Sequence, residues 1–214
     1  MTDRFVRFTH TLRRQLAGPL PGSEAHRRMR PSNLVEVADD GIAGKDCREG
    51  AVLVLLIPSA EGPAVVLTKR PSTLRDHAGQ ISFPGGSRDA GETLQQTAFR
   101  ECEEELGIPK HSPELIGQLT PIYIPPSNFC VHPFVATVPG RPNYVPSPAE
   151  VEQVIEAPVE GLLDPENLKS EDWVIRKRWT SVPYFDVYGH KVWGATAAML
   201  AELVSVIQSP PSGA

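Results

Sequence analysis

The 214-residue sequence predicts an α/β sandwich. Three observations point there. Short apolar runs rich in β-branched residues recur at 51–58 (AVLVLLIP), 63–70 (PAVVLTKR), 114–124 and 129–138, each bounded by turn residues. Beyond the N-terminal region, helical spacing is clear in two longer stretches, about 92–106 and 194–208. The 22 prolines and 17 glycines demand many turns between short elements. Strands with two helices laid on them make such a sandwich.

Taken in order, residues 3–17 space Phe5, Phe8, Leu12 and Leu16 as on one helix face, and Gly18-Pro19 ends that helix. The stretch 19–50 is turn-rich and weakly periodic, so 1–50 reads as an arm that packs on the main domain. Arg27, Arg28 and Arg30 in it could meet an anionic ligand, but a solvated basic loop is the simpler reading. The runs 51–58 and 63–70 form a hairpin through SAEG. Residues 71–86 are irregular and lead into the helix at 92–106. Two strands flank the turn PPSN at 125–128. Residues 150–164 start as a strand and turn into a short helix. The stretches 171–179 and 181–189 predict a strand pair turning at Thr180. Residues 194–208 form an amphipathic helix with Ala198, Leu200, Leu203, Val204 and Ile207 inward, and 209–214 are a loose tail. The main domain is thus 51–208.

Composition narrows the function. A net charge of −5 argues against broad attraction to nucleic acid or an anionic membrane. No apolar run reaches the roughly 18 residues that a membrane-spanning helix needs, and the first 16 residues lack the apolar core of a secretory signal. Cys47, Cys102 and Cys130 are widely spaced and match no zinc pattern and no even disulfide framework. The expectation is a cytoplasmic protein in a reducing compartment.

Residues 100–107 read RECEEELG. Negative charge near a helix C-terminus is unfavourable, and like charges four apart repel. At about 100° per residue, Leu94, Ala98, Cys102 and Leu106 form a core stripe, while Glu101, Glu104 and Glu105 cluster at its edge and Glu103 points away. No basic residue downstream pairs with these acids in the expected register. A hard divalent cation resolves the repulsion: Mg²⁺ takes a few carboxylate oxygens and keeps positions open for phosphate and water. A rigid acidic helix therefore suits metal-assisted phosphate chemistry.

The stretch GSRDAGETLQQTAFRECEEELGI (86–108) resembles the Nudix box, matching Gly86, Glu92, Arg100, Glu101, Glu104, Glu105, Gly107 and the apolar Ile108, with Cys102 at an apolar position. The resemblance implies the Nudix fold, an α/β/α sandwich around a mixed β-sheet, and hydrolysis of a nucleoside diphosphate linked to another group. It implies Mg²⁺ or Mn²⁺ as cofactor, with Glu101, Glu104 and Glu105 as ligands and Gly86 offering a carbonyl or a close approach. Glu92 and Arg100 would form an orienting pair. By the same resemblance Glu104, Glu105, Glu92 and Arg100 would be the catalytic set.

Upstream, LTKRPSTLRDHAGQISFPGG (67–86) resembles the segment that precedes the box in the coenzyme A pyrophosphatase subgroup, with Pro71 as a departure. VWGATAAML (192–200) is similar to that subgroup's final helix. The substrate implied is coenzyme A or an acyl-coenzyme A, cut to 3′,5′-ADP and 4′-phosphopantetheine. Lys69, Arg70 and Arg75 would supply local cations for its phosphates in an acidic protein, with Phe83 and Gly85 on the rigid turn beside them. His77 reads as loop filler rather than a base; Glu104, Glu105, Glu150 and Glu152 all stay open for that role. The alternatives are another nucleotide substrate (ADP-ribose, NADH or a dinucleoside polyphosphate) and a non-catalytic binding module. RNA cap hydrolysis lacks a basic surface. The partner expected is a small-molecule nucleotide, with no nucleic acid and no membrane. Whether residues 1–50 cap the site or mediate a homodimer stays open.

Overall fold

The computed structural model describes residues 3–32, 41–73, 79–175 and 177–210. Its centre is an eight-stranded sheet. Strand β1 (Arg48–Ser59) turns into β2 (Gly62–Lys69), and the short β3 (Ile81–Ser82) and β4 (Gly85–Ser87) follow. After helix α3 (Leu94–Leu106) come β5 (Glu114–Gln118), β6 (Ile122–Ile124), β7 (Phe129–Thr137) and β8 (Gln153–Pro158). The path runs β3-β2-β1-β7-β5, with β4 beside β1, β6 beside β7 and β8 beside β2. β1 and β7 are parallel from Arg48 opposite Phe129 to Leu56 opposite Thr137, while the other pairings are antiparallel, so the sheet is mixed. β2 pairs with the last residues of β1, and β4 takes its place against Gly50–Val52.

The alternation along β1 divides the core. Ala51, Leu53, Leu55 and Ile57 face α3, where Ala98, Cys102 and Leu106 complete the layer. Val54 and Leu56 face the other way, toward a larger cluster that draws on helix α1 (Asp3–Leu16), Met29 and the terminal helix α5 (Gly194–Gln208). α5 follows the short helix α4 (Val159–Leu163) and a three-stranded antiparallel sheet of β9 (Leu168–Ile175), β10 (Arg178–Val187) and β11 (His190–Val192). The expected helices at both ends thus exist.

A five-residue helix, α2 (Ser23–Arg27), was not expected from the turn-rich arm. It sits on α5 through a buried polar hub. Glu202 of α5, fully buried, accepts hydrogen bonds from the Gly22 amide and from the amide and hydroxyl of Thr120, and His26 Nε2 lies 3.0 Å from its other oxygen. One carboxylate therefore holds the arm, the β5–β6 link and the last helix together. Replacing Glu202 with leucine should cost about 3 kcal/mol or more in urea unfolding, because buried donors lose their acceptor. A loss under ~1 kcal/mol would mean that water takes over the hub.

Two expectations are corrected. Thr180 does not turn the last hairpin: it is buried within β10, opposite Trp173, and Lys177, at φ 64°, stands in the connection. Threonine suits a strand better than a reversal needing positive φ. Cys47 and Cys130, 83 residues apart, form a disulfide. Parallel pairing puts Glu49 opposite Cys130, which carries Cys47 to the same end of the sheet. Spacing along the chain says nothing of which strands become neighbours. The cysteine count therefore no longer argues for a reducing compartment. Cys102 is the free, buried thiol. Among the described residues, no helix is long and apolar enough to cross a membrane.

Candidate active site

The acidic helix begins at Leu94, two residues later than the sequence suggests. Thr93 caps it: its hydroxyl accepts from the Gln96 amide while the Gln96 side chain accepts from the Thr93 amide, a capping box legible in the sequence as T-x-x-Q. At the other end Gly107 takes φ 69°, which closes the last turn through a bond to the Glu103 carbonyl and suits a residue without a side chain. Between these caps the four carboxylates differ sharply. Glu103 accepts from the Lys110 amide and Glu104 is exposed. Glu101 is half-buried and Glu105 is 5% exposed.

Glu105 is the unusual member. Its Oε1 faces the Gly85 amide at 3.5 Å, and its buried Oε2 has no hydrogen-bond partner among the described residues. Burial pushes its carboxyl up to about 8, with the Glu101 and Glu150 charges adding to the shift. Glu101 is raised too, chiefly by burial, against the pull of Arg100.

The expectation that these acids lack a basic partner is wrong. Arg100 Nη1 lies 2.9 Å from Glu101 and 2.9 Å from Glu104, four residues on, while its Nε reaches Glu92 at 2.8 Å and its Nη2 the Ser87 carbonyl. The partner is upstream, and the flexible guanidinium bends back over the acids. The expected Glu92–Arg100 pair exists, and Thr97, which was not foreseen, adds a hydroxyl to Glu92 at 3.0 Å. The guanidinium holds the Glu92 carboxyl down to about 2.

Two observations test whether a divalent ion fits. Glu105 offers a buried oxygen with no partner, and the Arg100 guanidinium already places positive charge between Glu101 and Glu104. Oxygen donors in this number suit a hard cation. Among the described residues no three acidic groups converge closely enough to grip an ion as they stand, so Arg100 would have to yield its place. Gly86 completes the patch: a side-chain Cβ there would come within 2.3 Å of Glu101 Oε1.

Behind β4, away from α3, lies a cleft of about 1040 Å³. Its walls are largely apolar, with Phe83, Ile122 and Phe129 from the sheet, Met29 from the arm and Met199 from α5. Gly85 and Gly86 form its boundary toward the carboxylates, so the partition between cleft and acidic helix carries no side chains. Trp193, just before α5, lines the cleft and stands edge-on to Trp173 at 5.1 Å.

Of the cations expected at the substrate, Arg70 lines this cleft, its buried Nε has no hydrogen-bond partner among the described residues, and its charge acts on Glu105. Lys69 is paired with Glu152 at 2.5 Å, and the same carboxylate accepts from the Ser72 amide. Arg75 and His77 lie outside the described residues. Phe83 and Gly85 line the cleft. Of the loop acids, Glu150 acts electrostatically on both Glu101 and Glu105, whereas Glu152 is engaged with Lys69.

A carboxylate-lined helix lies on a mixed sheet, beside a cleft with an arginine at its edge. Residues 48–179 match the NUDIX domain, and the chain belongs to the Nudix hydrolase family. It is 34% identical over 162 residues to "Uncharacterized Nudix hydrolase NudL" of Photorhabdus laumondii, covering 75% of this chain and 86% of that one. It is 36% identical over 176 residues to "Nudix hydrolase 22, chloroplastic" of Arabidopsis thaliana, covering 77% of this chain and 57% of that one. The Mycobacterium smegmatis Nudix hydrolase RenU aligns at a TM-score of 0.46 and 23% identity, over 53% of this chain and 71% of that one. Nudix hydrolases generally work with divalent metals.

Proposed function

We propose that the chain hydrolyses the pyrophosphate bond of coenzyme A or an acyl-coenzyme A with Mg²⁺ or Mn²⁺, releasing 3′,5′-ADP and the matching 4′-phosphopantetheine. One observation carries this reading. The two segments that resemble the coenzyme A subgroup, 67–86 and 192–200, lie far apart in the chain and meet at one cleft, to which they contribute Arg70, Phe83, Gly85, Gly86, Trp193 and Gly194.

In this reading Glu101, Glu104 and Glu105 hold the ion, and Glu92, braced by Thr97 and Arg100, fixes the start of the helix against β4. When bound, the ion offsets charge growing on the phosphate oxygens and makes water a better nucleophile. Arg70 binds a phosphate oxygen at the cleft edge, where an arginine fork suits that geometry. Glu150 is the better placed of the loop acids to take the proton of the attacking water, since its charge already reaches Glu101 and Glu105.

The test is a panel of coenzyme A, acetyl-coenzyme A, dephospho-coenzyme A, NADH and ADP-ribose with Mg²⁺ or Mn²⁺, read by chromatography and mass. Release of 3′,5′-ADP from coenzyme A is the expected result. Turnover of ADP-ribose or NADH alone would keep the hydrolase and remove coenzyme A as its substrate.

A further inference from the structure

The cleft has a second basic edge, away from Arg70. Arg48 opens β1, and its guanidinium lies 4.4 Å from the centre of the Phe129 ring and donates to the Ser127 carbonyl at 3.1 Å. Both of these contacts leave its charge uncompensated: among the described residues, Arg48 pairs with no carboxylate. Its neighbour Glu49 is taken by Arg88 at 2.7 Å. Arg30 of the arm lines the same cleft, and Lys45 stands 5.2 Å over the ring of Tyr123, another cleft residue. In a chain with net charge −5, a cleft lined by Arg30, Arg48 and Arg70 is a local feature that the composition hides.

Register gives the spacing. Gly86 lies opposite Ala51, so Arg48 sits three residues along β1 from the level of the carboxylate patch, about 10 Å at strand rise. That is the scale of one sugar unit with a phosphate on either side.

We propose that Arg48, helped by Arg30, forms a second anion subsite that selects nucleotides bearing a further phosphate on the ribose. This rests on the function proposed above and adds to it the residue that would tell coenzyme A from its dephospho form. Stacking on Phe129 pre-orders the guanidinium, and a forked donor held in place loses little on meeting phosphate.

Binding of 3′,5′-ADP and 5′-AMP to the full-length protein, measured by calorimetry at fixed ionic strength, tests it. Wild type should bind 3′,5′-ADP at least ~10-fold more tightly, as a charge-assisted contact warrants. Arg48→Met keeps the stem on Phe129 and should bring that ratio close to 1. Arg48→Lys should keep part of the preference, and Arg30→Met should lower it to a smaller extent. Equal binding of the two nucleotides by wild type, or an unchanged ratio in Arg48→Met, would overturn the subsite. A preserved ratio with no cleavage of coenzyme A would keep the subsite and discard the proposed reaction. Cleavage of coenzyme A with a ratio of 1 would do the reverse.

Discussion

Replacing Glu105 with glutamine should lower turnover at least ~100-fold, the scale of losing one charge at a preorganised site, and should also stabilise the metal-free protein at alkaline pH. Both effects come from the same burial. The wild-type carboxyl ordinarily titrates near 4.5 and is pushed up to about 8 in the fold. A raised pKa means that the fold prefers the neutral acid. That preference contributes fully below about pH 4.5 and is lost as pH rises through about 8. Wild type without metal should therefore lose stability across that window, by up to about 5 kcal/mol, while the glutamine variant should show a much shallower slope. The remainder comes from Glu101, raised in the same direction. Urea unfolding in EDTA at pH 6 and pH 9 reads the upper part of this window, an expected loss of about 3 kcal/mol in wild type. Parallel behaviour of the two proteins would show that Glu105 is solvated in solution, and with it would go the case for Glu105 as the buried ligand.

Alanine at Gly86 and at Gly85 should separate activity from stability. At Gly86 the atoms nearest the new Cβ all belong to the carboxylate end of Glu101, with Oε1 at 2.3 Å, and a side-chain end can move. The fold should lose less than ~1 kcal/mol, as for a tolerated overpacking, while kcat/KM should fall by about 10- to 100-fold because a displaced ligand misplaces the reacting groups. At Gly85 the Cβ meets backbone, at 2.4 Å from the Ala51 carbonyl oxygen and 2.7 Å from Val52 Cα. Nothing there can rotate aside, so the strand pairing itself must open, at a cost of about 3 kcal/mol. Thermal denaturation beside kcat/KM for both variants checks the contrast. Comparable loss of stability in both would mean that Glu101 is as fixed as backbone.

What the sequence disclosed follows the range of the contacts. The stripe of Leu94, Ala98, Cys102 and Leu106, the helix 194–208 and the hairpin through residues 59–62 depend on near neighbours, and periodicity records near neighbours. The Glu92–Arg100 pair was legible because both lie within one short motif. The Cys47–Cys130 bond depends on β1 and β7 lying parallel, and no local pattern reports a crossover. Arg100 was misjudged for a different reason: reading the helix only downstream from each acid missed a long side chain folding over from above. The cleft rim at Arg48 was invisible because it exists only where the arm, the start of β1 and the Phe129 strand converge.

The hub around Glu202 bears on where this protein can be cut. The family match covers 48–179 and so omits α1, α2 and α5. Those three helices bring Phe5, Leu12, Leu200 and Leu203 to the larger core, and Gly22 and His26 to the buried carboxylate. A fragment trimmed to the matched region would lose the part of that core which these helices supply, and would bare the sheet beneath them. Trimming only the first 47 residues would leave Glu202 with Thr120 alone among its bonded partners. The packed unit is thus longer than the family match, and expression boundaries should follow the former.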